Sequence, residues 1–229
     1  MLLVLWDVDG TLVDTAPHGR EAFLDAFGEL TGRAPARVPP MSGRTDAEIA
    51  LELLRLNGVE EPEPRVPGFC AALAGALAAR EEALRAEGRV LAGAPEAIAA
   101  LAGSDGIVQS LLTGNIEPNA ALKLSALGLG DGLDLEVGAY GSDDAHRPSL
   151  VAVARAKAGA KYGVELAPGD AVLVGDTPLD VAAAREGGAR SVAVASGHTD
   201  REELEAAGPD ALLPDLRDTE ALVAAVRGR

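Results

Sequence analysis

The sequence predicts a doubly wound α/β fold, a parallel sheet with helices on both faces, interrupted by an all-helical insertion. Three observations carry this expectation. Apolar runs without alternation, of which Leu2–Trp6 is the first, suit strands buried on both faces. From about residue 88 onward such runs alternate with helical segments, as βαβ units require. Between Thr15 and Glu87 there is no convincing strand, only helical periodicity. The expected boundaries are therefore 1–14 and 88–229 for the α/β core and 15–87 for the helical insertion.

The first strand runs directly into Asp7-Val8-Asp9-Gly10-Thr11. In an open α/β sheet, ligands bind just outside the carboxyl ends of the strands, so these acids stand where chemistry is expected. Residues two apart in extended chain point the same way. At about 4 Å and an effective dielectric near 20, two carboxylates repel by roughly 4 kcal/mol, and a cation is the simplest remedy. An isolated pair of this kind is also common in surface loops, so its weight depends on what the other strands deliver.

After Asp14, expected to cap the first helix, Phe23, Phe27 and Leu30 fall on one helical face, with Gly32 as the stop. Ala34–Pro40 carries three prolines and reads as a loop. Thr45 and Glu48 form a capping box that opens a helix with Ile49, Leu53 and Leu56 on one face. A third helix is expected from about Pro67 to Glu87, along Leu73, Leu77 and Leu84. Then come a short helix Pro95–Ala102, a strand Ile107–Leu112 ending at Thr113-Gly114-Asn115, a helix Glu117–Leu127 and a weaker strand Leu133–Val137. The glycine-rich stretch Gly128–Gly132 follows no strand and reads as a loop. A helix Pro148–Tyr162 leads to a strand Ala171–Val174 that ends at Gly175-Asp176. Helix Leu179–Glu186, strand Ser191–Ala195, helix Arg201–Ala207, an edge strand at Leu212-Leu213 and helix Asp218–Arg227 complete the chain.

The 229 residues are 48% hydrophobic and 24% charged, a globular balance that can bury a sizeable core. A net charge of −16 speaks against a nucleic-acid partner or an anionic membrane surface. The single cysteine, Cys70, excludes an internal disulfide and a cysteine-rich metal site, and reads as a small buried hydrophobe. A strand starting at residue 2 leaves no room for a leader and no apolar run reaches membrane length, so the expected location is cytoplasmic. The oligomeric state is open.

Three buried-type strands thus end in polar residues: Asp7 and Asp9, then Thr113-Gly114-Asn115, then Asp176 with Asp180 four residues on. In a parallel sheet all three endings share one edge. Carboxylates from Asp7 and Asp176, a backbone carbonyl and waters are what Mg²⁺ prefers. Asp180, one helical turn beyond Asp176, either faces the same point or simply complements its helix N-terminus. Thr113 and the amides of Gly114 and Asn115 offer a seat for phosphate oxygens.

With these motifs in place, the chain resembles the haloacid dehalogenase (HAD) superfamily hydrolases of the phosphoglycolate phosphatase-like branch, over its whole length. Asp7-Val8-Asp9-Gly10-Thr11 is similar to the first motif, Thr113-Gly114-Asn115 to the second, and Gly175-Asp176-Thr177-Pro178-Leu179-Asp180 to the fourth. The resemblance implies a HAD-like (Rossmann-like) core whose insertion, residues 15–87, is a helical cap. It implies a nucleophile at Asp7, forming an aspartyl-phosphate, and an acid–base residue at Asp9. The metal, Mg²⁺, would be held by Asp7, the Asp9 backbone carbonyl, Asp176 and Asp180. A neighbouring carboxylate is expected to raise the pKa of Asp9 and help it hold its proton. Dehalogenases lack an aspartate in the Asp9 role, so phosphoester chemistry is expected.

The third motif departs from the pattern. Where the branch has a lysine before a proline, this chain reads His146-Arg147-Pro148. The role of neutralising phosphate and Asp7 is carried to Arg147, against the alternative of a solvated arginine. Lys157 and Lys161 are less suited, since Lys157 lies roughly 14 Å further along its helix. Arg44, in a loop-to-helix junction of the insertion, is the candidate for substrate selection, against a plain surface arginine. His18 and His198 are expected to be structural or solvated, and Asp143 and Asp144 to lie in a solvated loop. The expected function is a Mg²⁺-dependent phosphatase for a small phosphomonoester such as phosphoglycolate or a sugar phosphate. The rivals are a mutase resembling β-phosphoglucomutase and a catalytically silent binding module.

Overall fold

The computed structural model describes residues 1–228. The chain runs β1 (Leu2–Trp6), β2 (Val13–Asp14), α1 (His18–Thr31), α2 (Asp46–Leu56), α3 (Val66–Ala78), α4 (Glu81–Glu87), β3 (Arg89–Val90), α5 (Ala94–Ala102), β4 (Ile107–Thr113) and α6 (Glu117–Ala126). It continues through β5 (Ala139–Tyr140), α7 (Ser149–Tyr162), β6 (Ala171–Gly175), α8 (Pro178–Gly187), β7 (Arg190–Val194), α9 (Arg201–Ala207), β8 (Ala211–Leu213) and α10 (Thr219–Arg227).

Six strands form one parallel sheet in the order β5-β4-β1-β6-β7-β8. The first strand is internal, and the chain winds away from it to one side through β4 and β5 and to the other through β6, β7 and β8. The winding reverses between β1 and β6, the crevice where such sheets bind ligands. The unbroken apolar run of β1 has a direct cause. Val4 and Trp6 pack on one face with Ile98 and Leu101 of α5 and Leu222 of α10. Leu3 and Leu5 pack on the other with Leu150, Val151 and Ala154 of α7. Inside the first layer the Trp6 indole donates to Gln109 Oε1 at 3.1 Å, so its one polar atom is paired.

Between β2 and β3 the chain is helical. Phe23 and Phe27 of α1, Ile49 and Leu53 of α2, and Phe69, Leu73 and Leu77 of α3 share an apolar cluster. Its entry and exit strands pair with one another, a two-stranded antiparallel ribbon joining Val13 to Val90 and Asp14 to Arg89. The capping box of α2 is present as expected, with Thr45 Oγ1 accepting from the Glu48 amide.

Three expectations need correction. The single helix to Glu87 is two, broken at Ala79-Arg80, where Arg80 leaves helical geometry (φ −103°, ψ 8°) and reaches Glu21 and Asp25 of α1. No glycine or proline marks that break, which is set by tertiary contact. The strand expected at Leu133–Val137 is a single 3₁₀ turn over Leu135–Val137, and the edge strand lies beyond it at Ala139–Tyr140. There the Asp134 side chain accepts from the Glu136 amide, diverting the backbone from a ladder. Asp14 does not cap α1; it accepts from the Ala16 amide in an Asx turn, and α1 begins without a side-chain cap.

Candidate active site

The carboxyl ends of β1 and β6, the two strands flanking the reversal, bring Asp7 and Asp176 together. Gly10 makes the approach possible: its φ is +85°, and a Cβ there would lie 2.3 Å from the Asp176 carboxylate. Asp176 is followed by Thr177, the N-cap of α8, which forms a capping box with Asp180. Asp180 serves two purposes at once. Its Oδ2 accepts from the Thr177 amide at 3.0 Å, while its Oδ1 faces Arg147. Of the two roles the sequence leaves open for Asp180, complementing the helix N-terminus is seen in this cap, and the same carboxylate also offers an oxygen within 4.8 Å of Asp7 and Asp176.

Asp7, Asp176 and Asp180 are all buried and each offers an oxygen within 4.8 Å of the others. Burial raises the pKa of Asp7; Arg147 opposes that rise and the charge of Asp180 adds to it. Burial raises that of Asp176 as well, followed by repulsion from Asp7 and Asp180. Three buried acids against one guanidinium are short of positive charge. An all-oxygen set of this kind suits a hard divalent cation.

Arg147 is the cation that touches two of them. Its Nη2 donates to Asp7 Oδ1 at 2.8 Å and to Asp180, its Nη1 reaches the Gly43 carbonyl at 3.3 Å, and its buried Nε has no protein partner. Burial opposes the charge of Arg147, but Asp180 and Asp7 outweigh it and push its pKa upward. Lys157 is committed elsewhere, to Asp143 and the Gly138 carbonyl, and Lys161 to Asp134.

Asp9 belongs to a separate network. Its Oδ1 accepts from Thr15 Oγ1 at 2.8 Å, and its Oδ2 from Asn115 Nδ2 at 2.8 Å and Lys123 Nζ at 2.5 Å. Lys123 also donates to Asn115 Oδ1 at 2.7 Å, closing a triangle of side chains. Burial alone would raise the Asp9 pKa, but the Lys123 charge and the hydrogen bonds from Lys123, Asn115 and Thr15 bring it below the ordinary carboxylate range. The expectation that a neighbouring carboxylate raises it is therefore corrected: at rest Asp9 is ionised and ion-paired. A cavity of about 290 Å³ opens over Asp7, Asp9 and Asp176 and extends under α1, α2 and α3.

A family model described as haloacid dehalogenase-like hydrolase matches residues 4–185. The chain belongs to that family. It is 27% identical over 225 residues to a protein named phosphoglycolate phosphatase from Pectobacterium atrosepticum, covering 95% of this chain and 90% of the relative. It is 29% identical over 219 residues to one from Dickeya dadantii named "Probable phosphatase IndB", covering 92% and 88%. Among solved structures, a hydrolase from Pseudomonas syringae superimposes with a TM-score of 0.70 at 22% identity, covering 97% of this chain and 98% of that one.

Within this HAD hydrolase, two parts of the sequence reading shift. Thr113, Gly114 and Asn115 all line the cavity, but the donors of Asn115 are already taken. The Asn115 amide turns to Thr113 Oγ1 at 3.3 Å, and its side chain is shared between Asp9, Lys123 and Thr113. Gly114 instead receives the helical segment: its carbonyl accepts from the Asp46 amide at 2.7 Å, and a Cβ there would lie 2.0 Å from the Arg44 carbonyl. Arg44 borders the cavity, yet its guanidinium is held by Glu52 at 2.5 Å and by the Pro40 carbonyl at 3.2 Å. It is not a plain solvated arginine, and both of these contacts are made by Nη1.

His18 is buried with Nε2 3.3 Å from Glu87, joining the two ends of the helical segment, whereas His198 lines the cavity. Asp143 lies exposed in a loop, as expected, and there accepts from Lys157 and from the Tyr140 amide, while Asp144 accepts from the His146 amide.

Two site residues escaped the sequence reading. Lys123 lies on α6 four positions after Asn119 and eight after Asn115, and that polar stripe at helical spacing is the available signal. The second is Asp46, in the first turn of α2. Its Oδ2 accepts from the Ile116 amide at 2.8 Å, and burial, offset in part by Lys123, raises its pKa to about 6. With Thr45 Oγ1 donating to the Ala145 carbonyl at 2.9 Å, Asp46 fastens the N-terminus of α2 to the strand ends.

Proposed function

We propose that the protein is a Mg²⁺-dependent phosphatase of small phosphomonoesters, acting through an aspartyl-phosphate on Asp7. The observation that carries this reading is the buried Asp7 at the winding reversal, paired with Arg147 beside Asp176 and Asp180. Asp7 is the nucleophile because an ionised carboxylate needs no base. Arg147 favours its ionised form against burial and aligns it, and the Nε of the same guanidinium, unpartnered among the described residues, supplies a donor for a phosphate oxygen.

Asp7, Asp176 and Asp180, with the Asp9 carbonyl, would hold Mg²⁺. When bound, the ion offsets the repulsion between carboxylate and phosphate. An Asp7 oxygen forms a bond to phosphorus as the bond to the leaving oxygen breaks, and that oxygen takes a proton from Asp9. Asp9 rests ionised, so it must load a proton first, and the negative phosphate beside it favours this by opposing Lys123. Once ionised again, Asp9 takes a proton from the water that attacks phosphorus and releases Asp7. Residues 15–87 act as the cap that excludes bulk water from this sequence of steps. The relatives' names support phosphatase chemistry, as does an acid at the Asp9 position.

A phosphate-release screen over small phosphomonoesters, with Mg²⁺ and with chelator, tests the reading. Metal-dependent release that is lost in Asp7→Asn is expected. Release that is indifferent to chelator, or that survives in Asp7→Asn, overturns it.

A further inference from the structure

We infer that the leaving group accepted by this site is an alcohol with an apolar body of a few carbons, not a carboxylate-bearing or polyol one. The inference rests on the phosphatase reading for its chemistry, but on a different set of residues. Besides the acids, the cavity is lined by Phe23 of α1, Met41, Ile49 of α2, and Leu73 and Leu77 of α3. These side chains belong to, or pack against, the apolar cluster of the helical segment, so its core doubles as the wall.

A small carboxylate such as that of phosphoglycolate would need a cation on that wall. Among the described residues, the basic side chains lining the cavity are Arg20, Arg44, Lys123, Arg147 and His198. Lys123 is bound to Asp9 and Asn115, Arg147 to Asp7 and Asp180, and Arg44 to Glu52. That leaves Arg20 and His198, both solvent-exposed. The other charged side chains lining that side, Asp14 and Asp46, are acids and repel an anionic tail. Sugar hydroxyls turned toward Phe23 and Leu77 would find no partner on those side chains, and a buried polar group without a partner is unfavourable. An apolar chain meets neither objection. The volume, at the low end for small-molecule pockets, limits that chain to a few carbons beyond the phosphate.

A ladder of n-alkyl phosphates from methyl to hexyl, set beside phosphoglycolate and glucose 6-phosphate at saturating Mg²⁺, tests this. The expected result is kcat/KM rising about fourfold per methylene over the first few members, then levelling. Butyl phosphate should exceed phosphoglycolate by at least about tenfold on the same arithmetic. Binding of the matching n-alkylphosphonates, followed by calorimetry, should show the same slope without any bond being broken. Leu77→Ala should flatten both slopes. A flat ladder, or phosphoglycolate or glucose 6-phosphate outpacing butyl phosphate, overturns the inference. If Asp7→Asn hydrolyses the ladder as fast as the parent, the phosphatase reading fails instead, and the phosphonate slope alone decides what the wall accepts.

Discussion

Replacing Arg147 with methionine removes the guanidinium that touches both Asp7 and Asp180 while keeping much of its apolar stem. The ion pairs are deeply buried, with side-chain exposures of 6% for Arg147, 7% for Asp7 and 3% for Asp180, so solvent screens them little. Removing one partner of a buried pair costs about 3–5 kcal/mol, because the remaining charge stays desolvated and unpaired. For a chain of this size each kcal/mol is roughly 2–4 °C in Tm, giving a loss of roughly 6–20 °C in the absence of divalent metal. Mg²⁺ should recover part of it by restoring positive charge among the three acids. Lowering the pH should recover part as well, because Asp7 is already pushed toward its neutral form. Arg147→Lys keeps the charge but not the two-pronged reach, so it should fall between parent and Arg147→Met in both stability and turnover. Thermal unfolding in EDTA, in Mg²⁺ and at two pH values, beside phosphate-release rates, reads all of this. An Arg147→Met protein that melts within about 2 °C of the parent in EDTA would refute the claim that this arginine is the counter-charge.

Lys123→Met should lower kcat roughly 10²-fold with little change in KM, since it loosens a residue beside the reacting oxygens, not the phosphate itself. The ionisation of Asp9 should also move upward in the pH–rate profile, because the Lys123 charge is what draws it down; an unmoved profile argues against the network. For the metal-free protein, burial raises the pKa values of Asp7 and Asp176, and that of Asp46 to about 6. The folded state therefore binds more protons than the unfolded one above about pH 4, and stability should fall as pH rises from there through about 6 and beyond. Melting temperatures in EDTA from pH 5 to 8 should decline, and Mg²⁺ should flatten the decline; a rise with pH contradicts the assigned shifts.

Much of this molecule was legible from the chain itself. Leu3 and Leu5 face one helix layer and Val4 and Trp6 the other, so an unbroken apolar run could only be an internal strand. The three strand endings met because parallel strands place their carboxyl ends on one edge. What escaped depended on contacts distant in sequence. The Ala79-Arg80 break is made by Arg80 reaching acids of α1, with no local breaker to announce it. Arg44 borders the cavity, but its pairing with Glu52, two helical turns on, was not legible from the junction alone. Lys123 looked like one more lysine on an amphipathic helix, and only the fold sets it against Asp9, far away in the chain. The same contact reversed the expected direction of the Asp9 pKa, since an ammonium at hydrogen-bond distance outweighs a more distant carboxylate.

The central claim is covalent chemistry at Asp7. Acid-quenching the protein during steady-state turnover of a phosphomonoester in Mg²⁺, followed by peptide mapping, tests it directly. The phosphoryl group should be found on the peptide holding Asp7, labile to hydroxylamine and absent from Asp7→Asn. Turnover with no phosphorylated peptide at Asp7, or with phosphate on another residue, would contradict the account.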